Sequence, residues 1–255
     1  REGRIGMRGR STKNRTSSRR LARLTDLFFE AGMLRHTPRS GWQFLGQGKE
    51  NVADHSFRVA FMSYCLAKMA GADPCHAALL GLFHDLQEAR TGDLNYENQL
   101  YGRPDERRAM ADSVNGTGME EILDFYDEFE ARSTPEALIA KDCDQLDLIF
   151  NLKEELDKGC QFAREWLASA LERLRTPEAR AVAECAMRTD HNRWWYGRVD
   201  RSWWVDRRKD HPSGKNGYGF WDPNAGIRPA RRTLCRPRPQ RRSAAPRPSD
   251  RPGKE

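Results

Sequence analysis

The sequence lacks a Cys-x-x-Cys pair, although six cysteines are present, at positions 65, 75, 143, 160, 185 and 235. That spacing speaks against a disulfide framework and a cysteine-ligated zinc, and the positions read as reduced thiols on apolar helix faces. No apolar run approaches the ~20 residues needed to cross a bilayer. The Arg/Ser/Thr-rich start lacks the apolar stretch of a secretory signal, and Met7 is a candidate translation start behind Arg1. Strand alternation and Asn-Gly hairpin signals are missing from the middle of the chain, as are internal repeats, so an all-α helical bundle is expected. A soluble, cytoplasmic protein without membrane association fits these absences.

Charge is unevenly spread. The formal net charge is +7, yet residues 1–20 carry 8 basic and 1 acidic side chains and residues 201–255 carry 15 and 5, which leaves residues 21–200 with 21 basic against 31 acidic. Three segments follow: a basic, disordered extension over 1–20, one folded domain over 21–200, and a basic Pro/Arg-rich tail over 201–255 whose composition predicts disorder. Basic ends of this kind bind phosphate backbones by counterion release, so a nucleic-acid role for the tails is one reading, and a solvated appendage is another.

The middle is helical in period. Leu21, Leu24, Phe28, Met33 and Leu34 recur at helical spacing before Pro38; Val52, His55, Val59, Met62 and Leu66 share a face; and an almost wholly apolar helix is expected from Pro74 to about Glu88. An acidic amphipathic stretch covers 119–131. Thr134-Pro135 and Thr176-Pro177 are helix starts with Pro in the first turn, the first running to about Lys158.

Within that pattern His84-Asp85 closes the run Ala77–Phe83. An imidazole beside a carboxylate on a buried helix end is costly to desolvate unless something compensates it, and a divalent cation accepts lone pairs from both. His55 lies on the apolar face of its own helix. A fourth ligand comes from Lys141-Asp142-Cys143-Asp144, where Asp142 shares a face with Leu138, Gln145 and Ile149 and Asp144 with Ala137, Ala140 and Leu148. Periodicity leaves the two open. Glu88 stands near the proposed ligands, and a carboxyl crowded by others and partly desolvated should titrate high, suiting it to orient a water or protonate a leaving oxygen.

The order His55, His84-Asp85, Asp144 resembles the HD-domain phosphohydrolases. The segments Pro38-Arg39-Ser40-Gly41-Trp42, Glu50–Ser56 and His84–Leu94 narrow the likeness to the bacterial 5'-deoxynucleotidases and their eukaryotic relatives, over roughly residues 20–190. The resemblance selects Asp144 as fourth ligand of a divalent cation of the Mn, Co, Fe or Zn type. It implies that Glu88 acts as general acid/base, that Asp93 lies beside the reacting water or phosphate, and that Arg39 and Trp42 close over the substrate. It also implies a homodimer and hydrolysis of 2'-deoxynucleoside 5'-monophosphates. Other HD-domain reactions, on guanosine tetraphosphate or dNTPs, are the enzymatic alternative; Ala89 after Glu88 speaks against the first.

Overall fold

The computed structural model describes residues 7–47 and 49–196. Their helices run α1 (Met7–Met33), α2 (Val52–Ala70), α3 (Pro74–Phe83), α4 (Glu88–Thr91), α5 (Tyr96–Tyr101), α6 (Glu106–Val114), α7 (Ile122–Ala131), α8 (Pro135–Asp157), α9 (Ala163–Glu172), α10 (Pro177–Arg188) and α11 (Arg193–Tyr196), with 3-10 turns at Leu34–His36 and Ser40–Phe44. Among the described residues extended pairing is limited to one isolated bridge, Pro38 with Asn51, and no helix is long and apolar enough to cross a membrane. The tail expected over 201–255 and the first six residues lie outside the described residues.

Helix starts are where the local chemistry put them. Asn51, Asp73, Thr134 and Thr176 each accept a hydrogen bond from a backbone N–H of the first turn, opening α2, α3, α8 and α10; those N–H groups have no partner inside the helix. Proline follows the cap in α3, α8 and α10, at a position where its missing N–H costs nothing.

Helix α2 packs against α3 and α8, and α8 also packs against α9, α3 and α10. Val59, Leu66, Ile139, Leu146, Ile149, Leu152 and Leu167 fill the larger core among these helices. A second core joins Leu27, Leu34, Val52, Leu86, Met110, Val114 and Ile122. The approach of α3 to α2 depends on Gly81, where a Cβ would lie 2.9 Å from Ser63 Oγ and 3.1 Å from the Ala60 backbone.

Four expectations need correction. Helix α1 starts at Met7 rather than near residue 21, with Arg20 and Arg23 donating to the carbonyls of Thr117, Gly118 and Asn115, which follow α6. Its inward face is Leu24, Leu27 and Ala31, continued by Leu34 in the turn that follows, while Leu21, Phe28 and Met33 are exposed; apolar residues stand on both faces, and only packing selects between them. Helix α3 stops at Phe83 because His84 turns its Nδ1 to the Gly81 carbonyl at 2.9 Å, the acceptor that a continued helix offers Asp85. The chain then reaches Glu88 through a turn. The described cysteines are all free, but Cys75 and Cys185 are exposed rather than core, whereas Cys143 is buried.

Candidate active site

Three helices bring the ligand candidates together. His55, from α2, is fully buried, and its Nε2 lies 3.2 Å from Nε2 of His84, which follows α3. Asp85 Oδ2 is 3.0 Å from His84 Nε2 and 3.5 Å from His55 Nε2. Asp144 Oδ1, from α8, is 3.4 Å from His55 Nε2. The ambiguity in α8 resolves in space: the Asp142 carboxylate accepts from Arg175 N, Thr176 N and Thr176 Oγ1 and holds the start of α10.

The imidazoles have their other nitrogens occupied. His55 Nδ1 is 2.7 Å from Asp147 Oδ2, and His84 Nδ1 is 2.9 Å from the Gly81 carbonyl oxygen. Both acceptors lack hydrogens, so each Nδ1 donates, and the two Nε2 atoms are left facing one another. Two ring nitrogens at 3.2 Å, flanked by two carboxylates, need a positive charge among them, a proton or a cation. That donor set fits a divalent metal, and His55, His84 and Asp144 satisfy the spacing such an ion requires. With side chains alone, a proton fills part of that need. Burial and the charge of Arg39 oppose a protonated His55, but Asp144 and Asp147 outweigh them and lift its pKa to about 10. The Asp144 carboxyl is held well below the ordinary range: burial works against it, and Lys141 and His55 overcome that.

Around this cluster lies a cavity of about 840 Å³, within the range of small-molecule sites, whose lining includes Arg39, Glu88, Asp93, Tyr96, Lys141 and Trp166. Arg39 Nη1 is 3.2 Å from Asp85 Oδ2 and its Nε 3.6 Å from Asp93 Oδ2, while Ser40 N donates to Asp93 at 2.9 Å. Arg39 and Asp93 therefore meet, with Asp93 holding the loop that carries the guanidinium. Glu88 keeps one carboxyl oxygen buried without a partner. Burial first, then the charges of Asp85 and Asp93, push its pKa up to about 10. Trp42 also lines the cavity; it is 8% exposed, packed in the larger core, with its indole N–H donating to Glu50 Oε2 at 3.2 Å.

Several residues near the site escaped the sequence reading. Asp147 supports His55 and is itself gripped by Arg58 through Nε and through Nη2 to its backbone oxygen. Asn151 Nδ2 donates to Glu50 Oε1 at 2.7 Å and approaches Asp147 Oδ2 at 3.3 Å. Lys141 Nζ lies 3.5 Å from Asp144 and 4.5 Å above the Phe129 ring. The signal was available: Asp147 and Asn151 follow Asp144 at three and seven residues, on one helical face.

The helical bundle sets His84, Asp85 and Asp144 at the wall of one cavity with His55 buried directly behind them, a donor set that could hold a metal ion. The chain belongs to the HD domain family, whose model matches residues 31–185. It is 28% identical over 156 residues to the 5'-deoxynucleotidase HDDC2 of Danio rerio, covering 58% of this chain and 78% of that one. It is 31% identical over 143 residues to the protein of the same name from Dictyostelium discoideum, 51% and 75% of the two chains. Among solved structures, a conserved hypothetical protein from Pyrococcus furiosus superposes with a TM-score of 0.56 at 31% identity, over 64% of this chain and 99% of that one.

Proposed function

We propose that this HD-domain hydrolase is a metal-dependent phosphomonoesterase acting on 2'-deoxynucleoside 5'-monophosphates and releasing deoxynucleoside and phosphate. The coarser part, a nucleotide phosphohydrolase, is supported by relatives named as 5'-deoxynucleotidases. The observation that carries the reading is the approach of the two Nε2 atoms to 3.2 Å beside Asp85 and Asp144, with His84 and both carboxylates lining a cavity that also holds Arg39 and Glu88. His55, His84, Asp85 and Asp144 would hold a divalent cation of the Mn, Co, Fe or Zn type, which supplies Lewis acidity toward phosphoryl oxygens and acidifies a water.

The chain's own residues do the rest. Arg39 offers a planar pair of donors to the phosphoryl oxygens, and Asp93 keeps that guanidinium and the Ser40 amide in place. Glu88, proton-bearing near neutrality because of its burial and its acidic neighbours, delivers that proton to the departing 5'-oxygen. Lys141 balances negative charge at Asp144.

The cytoplasm as its compartment and a homodimer as its working form belong to the same proposal. An exposed row on α2, Phe57, Phe61 and Tyr64, supports a partnered face. The rival reading, nucleic-acid binding through basic ends, falls mainly on residues outside the described ones, while the folded domain keeps its four ligand candidates together.

The test is phosphate release from a panel of ribo- and deoxynucleoside monophosphates with each metal added in turn, beside a Glu88→Gln variant. Deoxynucleotides should turn over faster, and Glu88→Gln should lose about 10²- to 10⁴-fold in kcat with metal content unchanged. Equal turnover of ribonucleotides would remove the deoxy assignment.

A further inference from the structure

The resemblance places Trp42 over the substrate, but that ring is almost wholly enclosed and its N–H is taken by Glu50. The aromatic faces still open to the cavity belong to Tyr96, which is 49% exposed, and to Trp166, which is partly buried. Their centroids stand 6.3 Å apart at 69°, and Trp166 lies 6.1 Å from Trp42.

We infer that Tyr96 and Trp166 form the nucleobase subsite, the surface on which the substrate's heterocycle stacks while its phosphate lies at the Arg39 and His55 end; this rests on the nucleotide reading above. Three observations carry it. The first is a continuous set of hydrogen bonds from the proposed metal carboxylate to the ring: Gln145 Nε2 reaches Asp144 Oδ2 at 3.3 Å, Arg173 Nη1 reaches Gln145 Oε1 at 3.3 Å, and the same Nη1 donates to Tyr96 Oη at 2.6 Å. The Arg173 guanidinium also lies 5.3 Å from the Tyr96 centroid. Tyr96 is thus held at a set distance from Asp144, although α5 itself buries no residue.

The second is the contact between Trp166 and the loop bearing Arg39. A Cβ at Gly41 would come within 3.0 Å of Trp166 Cη2, so the absence of a side chain at Gly41 lets the indole lie against that backbone. The loop that carries the phosphate-binding guanidinium therefore also seats the aromatic wall, which fits two ends of one ligand. The third is the Trp166 indole nitrogen, shielded from solvent without an acceptor. A tryptophan serving only as core packing ordinarily finds that partner.

Stacking on aromatic side chains tolerates every base, because each has a π-face, so the subsite predicts binding of purines and pyrimidines alike with modest preference. Arg173 and Gln145 act as positioning residues.

The experiment uses the full chain and two readouts. In the first, kcat and KM are measured for a deoxynucleoside monophosphate and for 2-deoxyribose 5-phosphate, which keeps the sugar phosphate and lacks the base. In the second, binding of the free deoxynucleoside is followed by quenching of tryptophan fluorescence, with no turnover required. Tyr96→Ala should weaken nucleoside binding by about 10-fold and raise KM for the nucleotide about 10-fold more than it raises KM for the base-free ester. Tyr96→Phe, which keeps the ring but loses the hydroxyl that Arg173 holds, should retain more nucleoside binding than Tyr96→Ala and less than wild type. Equal loss on both esters would make the ring merely structural and overturn the subsite, as would nucleoside binding that ignores Tyr96→Ala. If neither ester is hydrolysed while nucleoside binding still depends on Tyr96, the phosphatase reading fails and the subsite stands. Turnover without Tyr96 dependence gives the reverse.

Discussion

His55 Nδ1 and Asp147 Oδ2 meet at 2.7 Å with both side chains buried, so one carboxylate decides which nitrogen of a ligand candidate faces His84 and Asp144. Burial opposes an ionised Asp147, and the hydrogen bond from His55 with the charges of His55 and Arg58 holds its pKa below the usual range. Asp147→Asn removes that charge and the bias on the ring. Divalent affinity should fall by about 10- to 100-fold, as for other outer partners of metal-bound histidines, measured by calorimetric titration of Mn or Zn.

Metal should stabilise the fold through linkage. A cation that binds the folded chain and not the unfolded one adds about 2.7 kcal/mol at a hundredfold excess over Kd, which for a domain of this size raises Tm by several degrees. Scanning calorimetry with and without a chelator checks this, and His84→Ala should abolish the increment.

The two α8 aspartates should fail in different ways. Asp142→Ala deprives two backbone N–H groups and the Thr176 hydroxyl of their acceptor and should cost about 1–3 kcal/mol in chemical denaturation, with divalent binding by the folded protein retained. Asp144→Asn should keep the fold and lose divalent binding.

Acid should loosen the junction of α1 with α4 and α6. Glu30 accepts from Arg90 and from Ser113; the Arg90 hydrogen bond, partly opposed by burial, lowers its carboxyl below the ordinary value of 4.5. A depressed pKa contributes stability that is present above 4.5 and lost as pH falls through the folded-state value. Glu30→Gln should therefore cost about 1 kcal/mol at pH 7 and little at pH 3, read from urea midpoints at the two pH values.

Much of this was legible from local chemistry. Thr134-Pro135 and Thr176-Pro177 opened helices, Val52, His55, Val59 and Leu66 lay on one inward face, and His84-Asp85 followed an apolar helix. All of these depend on residues within a few positions of one another, where a 3.6-residue period and unpaired first-turn N–H groups act. Tertiary contacts decided what period alone left degenerate. Asp144 rather than Asp142 faces the cavity because α8 lies between α2 on one side and the start of α10 on the other. The buried face of α1 is Leu24, Leu27 and Ala31 because α6 and α4 meet it there. Asp147 gained its role through His55, 92 residues away on another helix, and the enclosure of Trp42 came from the core it packs into and from Glu50 across a loop. The physical reason is common to all four: an isolated helix presents every face to water equally, and only desolvation against a neighbour makes one orientation of a charged or aromatic side chain cheaper than another.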